Sequence, residues 1–230
     1  MEDKEKRELK AIKEEMRKEF QVERMILFSD AVFAIVITLM AIEIKLPHNE
    51  SKITDEVFAH QLIHLLPTVL AYTVSFFFIG LIWYRHLKIF SIVKSFDVGL
   101  VVHNLILLFF VGLFPFGAAI IASVKAAHFI RIMIYLSIII CCIYAQFFLQ
   151  HYLLIKKPHL CESDADTTHL LKTYKQTIPS IIVLPVVIIL IIITDYFVSD
   201  AEYKGLSSLW ILLVPLTQLV YKKMHKEKSK

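Results

Sequence analysis

The chain has 230 residues and a mean hydropathy of +0.64; 57% of its residues are apolar and only 20% are charged. This composition excludes an ordinary soluble domain of that size and predicts an integral membrane protein. The formal net charge is +4, and no basic stripe indicates binding to nucleic acid. Three cysteines, of which two are the adjacent Cys141 and Cys142, argue against a disulfide framework.

Six apolar stretches lack Lys, Arg, Asp and Glu, and each can reach about 20 residues, the length that crosses a bilayer, although the first reaches it only with Asp30 and Glu43 inside the span. They cover residues 31–42, 57–84, 98–124, 132–155, 176–194 and 206–221. The pattern predicts an all-α protein with six transmembrane helices. We expect a charged cytoplasmic segment at 1–20, a six-helix domain at 21–222 and a basic cytoplasmic tail at 223–230.

The lysines and arginines set the predicted orientation. With the amino terminus inside, twenty of the twenty-five lie on the inner side of the membrane and five on the outer side. Because positive charge accumulates on the cytoplasmic side, we expect both termini in the cytoplasm of a multi-pass protein of the plasma membrane.

Residues 1–20 carry seven basic and seven acidic side chains. Pairs such as Glu14 with Lys18 are typical of a solvated helix, and we expect that helix to lead directly into the first span. Its apolar positions form one short stripe: Leu9, Ile12, Met16 and Phe20. The stripe leaves a coiled-coil role open, although it is shorter than the three heptads such a role requires.

A carboxylate lies inside the first apolar segment. Arg24, Phe28, Ser29 and Asp30 form an Arg-x-x-x-Phe-Ser-Asp run that opens this segment. An ionisable group at the centre of a membrane helix costs roughly 2.5–3.5 kcal/mol on insertion scales, so Asp30 indicates a functional or architectural site.

Further motifs follow in the second and third segments. The second ends in Trp83-x-x-His86; the third begins near Asp97, carries Asn104 and ends in Phe-Pro-Phe at 114–116. Together with the run at 24–30, these residues resemble the prokaryotic relatives of the lysosomal and endosomal potassium channel. The resemblance implies a homotetramer with four first helices around a central pore.

Helical geometry predicts a polar network near the inner leaflet. Asp30 lies about 9 Å beyond Arg24 along its helix, and Asn104 lies about 10 Å beyond the start of its own. We therefore expect Asp30, His103 and Asn104 at similar depth. Trp83 and His86 are expected nearby, at the inner end of the second span. Asn104 or a histidine would donate to Asp30, and Arg24 would balance its charge.

The first helix carries a separate aliphatic face. Ile35, Leu39 and Ile42 fall within roughly 60° of one another, and Asp30 lies about 140° from Ile35. The resemblance implies that Ile35, Leu39 and Ile42 form the pore constriction, with Phe28, Ser29 and Asp30 as a packing and hydrogen-bonding device. Thr38 lies beside the constriction and offers the only hydroxyl there.

The resemblance implies a potassium-favouring monovalent cation channel with passive conduction and a hydrophobic gate, and it leaves proton permeation open. The Thr-Val-Gly-Tyr-Gly filter is absent from the sequence. We expect no catalytic residue, cofactor or metal, and no enzymatic activity. Two alternatives stay open: a proton-coupled secondary transporter that uses Asp30 and His103, and a membrane scaffold that conducts nothing.

Overall fold

A computed structural model describes residues 2–42, 44, 55–123, 128–162 and 165–197. The chain divides into a first unit that ends at Glu162 and a second that begins at Ser163, and each is described separately. The predicted sixth span at 206–221, Glu43 and the tail at 223–230 lie outside the described residues.

The described part of the first unit contains five α-helices. They are α1 (Glu2–Ile42), α2 (Asp55–Phe90), α3 (Val98–Gly112), α4 (Phe114–Ser123) and α5 (His128–His151). A π turn at Tyr152–Lys156 and a 3-10 turn at Pro158–Leu160 follow α5. In the second unit the described residues form α6 (Ala165–Phe197), which contains Pro179 and Pro185.

Five helical stretches in the described residues are long and apolar enough to cross a membrane: Lys4–Ile42, Gln61–Phe90, Val98–Ile120, Met133–Lys156 and Asp166–Thr194. The chain is therefore an all-α, multi-pass membrane protein, as the sequence predicts.

Helix α1 is one uninterrupted element of 41 residues. Residues 2–42 include no Gly or Pro, so nothing in the sequence breaks the helix. At 1.5 Å per residue it is about 61 Å long, roughly twice the thickness of the hydrocarbon core. The charged segment at its start therefore continues the membrane helix beyond the bilayer.

The predicted third span is divided at Leu113, between α3 and α4. The Leu113 amide donates to the carbonyl of Phe110 over 3.2 Å, which closes the last turn of α3. Pro115 then lies in the first turn of α4, where its missing N–H would have no helical acceptor. The proline thus starts a new helix instead of kinking a continuous one.

Helix α1 packs against α2, α3 and α4, while α3 packs against α5. The face of α1 that enters this core carries Val22, Phe33, Val36 and Met40, each at most 5% exposed. On the side where α2 ends, the amides of Lys94 and Ser95 donate to the carbonyl of Leu160. These bonds attach the α2–α3 connection to the turns that follow α5.

Candidate functional site

A group of polar side chains joins α1, α2 and α3 within the membrane segments. We call it the inner polar cluster, and it consists of Ser29 and Asp30 on α1, Trp83 and His86 on α2, and Asn104 on α3. The sequence predicts that Asp30, Trp83, His86 and Asn104 meet, and the structure brings these four together with Ser29.

A chain of hydrogen bonds runs through the buried part of the inner polar cluster. His86 Nε2 donates to Asn104 Oδ1 over 2.9 Å, and Asn104 Nδ2 donates to Ser29 Oγ over 2.9 Å. The Ser29 hydroxyl donates in turn to the carbonyl of Met25 over 2.9 Å. Ser29, His86 and Asn104 are at most 1% exposed, so these bonds fix the three helices in register without competition from solvent.

The hydrogen bond to Asn104 identifies the donor atom of His86. Because the side-chain carbonyl of Asn104 can only accept, Nε2 carries the proton. The buried Nδ1 has no hydrogen-bond partner among the described residues, so a second proton there would lack an acceptor. The ring stacks on Phe90 with centroids 4.2 Å apart and lies tilted against Phe33 at 5.6 Å. His86 therefore donates through Nε2, and its ring lies in an aromatic setting.

Asp30 receives its hydrogen bond from Trp83. The indole Nε1 donates to Asp30 Oδ1 over 2.8 Å. The prediction that Asn104 or a histidine donates to Asp30 is wrong, because Trp83 is the donor, while Asn104 donates to Ser29 and His86 donates to Asn104. Ser29 and Asp30 project about 100° apart on α1, so the longer indole reaches the carboxylate from α2.

Two further residues of the Arg-x-x-x-Phe-Ser-Asp run point away from the inner polar cluster. Arg24 is exposed and makes no hydrogen bond or ion pair with Asp30. Six residues place the two side chains about 120° apart around the helix and about 9 Å apart along it, which explains the missing contact. Phe28 is 55% exposed and does not pack into the core of its own chain.

His103 does not join the inner polar cluster. Its Nδ1 donates to the carbonyl of Gly99 over 2.7 Å, and its ring stacks on Tyr152 with centroids 4.5 Å apart. The inclusion of His103 in the network around Asp30 is therefore wrong. One residue of separation turns His103 about 100° away from Asn104, toward the end of α5.

A second polar group lies at the start of α3, and we call it the α3 entry cluster. It consists of the side chains of Asp97, His103 and Tyr152 with the backbone of Gly99 and Leu100. Asp97 caps α3 by accepting from the Leu100 amide over 2.8 Å, and its other oxygen accepts from the Tyr152 hydroxyl over 2.6 Å. A Cβ atom on Gly99 would overlap the Tyr152 side chain, so glycine is required for this approach. Sequence reasoning missed Tyr152, and only the aspartate before an apolar run pointed to a helix start.

Charge also favours the ionised form of Asp97. Burial alone would raise the pKa of Asp97, but the hydrogen bonds from Tyr152 and Leu100 and the positive charges of Lys157 and His159 lower it below its ordinary value. Lys157 Nζ lies 4.0 Å from Asp97 Oδ2. The α3 entry cluster is thus an anionic cap that joins the start of α3 to the turn after α5.

The predicted aliphatic face of α1 is uncovered in the single chain. Ile35, Leu39 and Ile42 are 56%, 44% and 61% exposed, whereas Phe33 and Met40 on the opposite face are 1% exposed. We call Ile35, Leu39 and Ile42 the constriction face. The core of the chain lies behind it, and its side chains are available to lipid or to another copy.

Thr38 lies next to the constriction face and is exposed. Its hydroxyl is positioned to donate to the carbonyls of Ala34, at 3.1 Å, and Ile35, at 2.9 Å. Because the proton is used within the helix, the oxygen lone pairs that remain can face a cation.

The segment that builds these features matches a known family. Residues 24–115 match the family described as "Endosomal/lysosomal potassium channel TMEM175". That range begins at Arg24 and includes the whole inner polar cluster and the constriction face.

Curated bacterial proteins are similar over nearly the same length. A protein named "Potassium channel" from Chamaesiphon minutus is 41% identical over 97 residues, which is 42% of this chain and 47% of that protein. Proteins with the same name from a Chryseobacterium species and Streptomyces collinus are 37% and 38% identical, over 40% and 42% of this chain and 44% and 45% of those proteins. The chain thus aligns with less than half the length of these relatives.

The fold extends further than the sequence similarity. A crystal structure described as a lysosomal potassium-selective channel TMEM175 homolog from Chamaesiphon minutus has a TM-score of 0.57 and 23% sequence identity with this chain. The aligned residues cover 91% of this chain and 98% of that structure's chain, so the two proteins share a fold. The resemblance to prokaryotic relatives of the endosomal and lysosomal potassium channel is thereby confirmed, with its sequence match at residues 24–115.

Proposed function

We propose that this protein is a potassium-favouring monovalent cation channel that conducts passively. In this proposal four copies surround one pore, each contributes six spans, and both termini face the cytoplasm of a plasma membrane. Potassium ions and the lipid bilayer are its partners. The protein needs no cofactor and catalyses no reaction.

The observation that carries the proposal is the position of the constriction face within the family match. Residues 24–115 match a potassium channel family, and the three aliphatic side chains of that face are left uncovered by the rest of the chain. Exposure alone does not distinguish a pore from a lipid contact, since Leu105 on α3 is 47% exposed as well. The support for a pore lining by the constriction face of α1 therefore comes from the family match.

In the proposed mechanism, four copies of Ile35, Leu39 and Ile42 surround the axis. Aliphatic walls cannot replace the hydration shell of an ion, so a narrow ring excludes water and closes the pore by dewetting. Opening widens the ring and admits a hydrated or partly hydrated ion. Potassium is favoured because partial loss of its hydration is easier than for sodium, and the Thr38 oxygens offset part of that loss.

The inner polar cluster has an architectural part in this mechanism. Ser29 and Asp30 project away from the constriction face and are bonded to α3 and α2. They hold α1 at a fixed rotation, so that the aliphatic face and not the carboxylate faces the axis. Unsatisfied polar groups in hydrocarbon are costly, so the bonds also oppose rotation of α1 about its own axis.

The two alternative functions that the sequence leaves open require different structural features. A secondary transporter requires a carrier site, and broken helices near the midplane commonly build one. Helix α1 is continuous through Ile42, and His103 is bonded within the α3 entry cluster, away from Asp30. These observations favour the channel over a transporter built on Asp30 and His103.

Ion flux in liposomes tests the proposal. We expect the purified full chain to pass potassium faster than sodium, with a rate that rises with the gradient and does not saturate in the manner of a carrier. Proton flux is measured in the same vesicles with a pH-sensitive dye. Saturable flux coupled to a proton gradient would support the transporter. Absence of flux from correctly inserted protein would support the scaffold.

A further inference from the structure

The part of α1 that precedes the membrane carries an uncovered apolar stripe. We call it the extension stripe, and it consists of Leu9, Ile12, Met16 and Phe20. These side chains are 51%, 53%, 62% and 59% exposed. At about 100° per residue all four fall within an arc of about 80° on one side of the helix. Large apolar side chains that are grouped on a surface outside the bilayer mark an interaction site.

The charges beside the extension stripe are sorted by sign. Lys13 and Arg24 flank it on one edge, and Glu8 and Glu19 flank it on the other. The pattern repeats after 11 residues, because Glu8, Leu9 and Lys13 correspond to Glu19, Phe20 and Arg24. Eleven residues make about three turns of an α-helix, so the stripe runs nearly straight along α1.

We propose that the extension stripe pairs with the same stripe of a second copy of this chain, with the two helices parallel. In a parallel pair the basic edge of one helix faces the acidic edge of the other, and a glutamate meets the basic residue five positions later in its partner. That register matches Glu8 with Lys13 and Glu19 with Arg24. In an antiparallel pair edges of like charge would meet, so the charge pattern selects the parallel orientation.

The extension stripe alone is short for a stable coiled coil, but the membrane part of the chain holds the extensions of several copies close together. The inference rests on the proposed function in one respect, namely that several copies share one assembly. Tethering through the bilayer raises the local concentration of the extensions, so two or three turns of contact suffice. The membrane also orients every copy in the same direction, which agrees with the parallel pairing.

The extension stripe is turned by about 100° from the constriction face of the same helix. One straight helix cannot direct both faces at one axis. The extensions therefore pair two by two beside the pore axis, and the stripe does not continue the pore lining. This pairing goes beyond the proposed conduction, since it concerns assembly outside the membrane.

Disulfide cross-linking of the full chain in lipid vesicles tests the proposal. Leu9→Cys and Met16→Cys are prepared separately, oxidised with copper phenanthroline and compared with the unmodified chain as a blank. In a parallel pair each variant links to itself, so each alone yields a covalent dimer on a denaturing gel. Failure of both variants to form dimers would overturn the inference. So would dimers that appear only when the two variants are mixed, which is the antiparallel result.

Charge reversal tests the orientation argument. Glu8→Lys should slow the cross-linking of Leu9→Cys about two- to fivefold at low salt, which is the effect of an exposed ion pair. Adding Lys13→Glu should restore the rate. The control is Glu14→Lys with Lys18→Glu, which reverses both signs on the opposite side of the helix and should change nothing. Equal rates in Glu8→Lys and in the control would contradict the proposed pairing.

Native mass spectrometry of the same samples separates this inference from the proposed function. A tetrameric mass without cross-linking would overturn the paired extensions and leave the proposed channel assembly standing. A monomeric mass without cross-linking would overturn both.

Discussion

The side-chain amide of Asn104 donates a hydrogen bond to the hydroxyl oxygen of Ser29 over 2.9 Å, which joins α3 to α1 inside the membrane. The same amide group accepts from His86 on α2. A single buried asparagine therefore connects the helix of the proposed constriction to the two helices behind it.

Asn104→Leu should destabilise the protein by about 1–3 kcal/mol, because it leaves the buried Ser29 and His86 without a partner. Thermal unfolding in detergent measures the loss. A double-mutant cycle with Ser29→Ala should give a coupling energy of about 0.6 kcal/mol, and at most about 1.7 kcal/mol, as for hydrogen bonds between membrane helices. Strictly additive effects would show that the bond between Asn104 and Ser29 is absent in the membrane.

Asp30→Ala should reduce the yield of folded, assembled protein more than it changes the potassium-to-sodium flux ratio. The substitution removes the acceptor of the Trp83 indole inside the membrane. Asp30→Asn keeps an oxygen that can accept from Trp83, so it should recover most of the yield. Size-exclusion chromatography and vesicle flux measure the two effects. Normal yield with lost selectivity in Asp30→Ala would move this residue to the pore.

Gly99→Ala should destabilise the protein by about 1–3 kcal/mol, since the added methyl group overlaps the Tyr152 side chain and costs as much as other overpacking. The hydrogen bond from Tyr152 to Asp97 would be displaced at the same time. In a Tyr152→Leu background the same substitution should cost much less. An equal loss of thermal stability in both backgrounds would mean that the Tyr152 side chain does not approach Gly99.

Asp97 should make stability depend on acid pH. Its pKa is lowered in the folded protein, so its stabilisation is complete above the ordinary pKa of an aspartate, about 4, and is lost as the pH falls through the lower folded value. Asp97→Asn keeps a capping side chain and removes the titration. Melting temperatures between pH 3 and pH 7 should therefore converge for the two proteins at low pH. A constant difference across that range would contradict the assignment.

Cys161 should be inert toward maleimides at pH 7.5. Burial raises the pKa of its thiol to about 11, although Lys94 lowers it in part. The thiolate is the reactive form, so almost none is present at neutral pH. Mass spectrometry of the labelled, folded protein measures this directly. Rapid labelling would show that the segment around Cys161, after the 3-10 turn, opens in the folded protein.

The sequence predicted the helices and the approach of Asp30, Trp83, His86 and Asn104, because both follow from regular geometry. The apolar lengths located five spans, and a rise of 1.5 Å per residue placed Asp30 and Asn104 at one depth. The separation of the aliphatic face of α1 from Asp30 followed from the helical period. The sixth span lies outside the described residues, so its existence stays a prediction.

The hydrogen-bond partners could not be predicted, because they depend on side-chain direction in three helices at once. Depth alone cannot distinguish Asn104 from His103, although their side chains diverge by about 100°. Nor does a sequence show that Trp83 reaches Asp30 from α2, or that Tyr152 reaches Asp97 across 55 positions. These contacts depend on helix rotation and packing, for which local patterns carry little information.

The most direct test of the constriction face is potassium flux through Leu39→Asn in liposomes, compared with Leu105→Asn. The two leucines are similarly exposed, at 44% on α1 and 47% on α3, so the control places the same amide at a membrane surface away from the proposed pore. Leu39→Asn should ease wetting of the ring and raise the flux, about tenfold if the barrier falls by about 1.4 kcal/mol. Leu105→Asn should leave the flux unchanged. Equal flux in Leu39→Asn, Leu105→Asn and the unmodified protein would contradict a constriction at this face of α1.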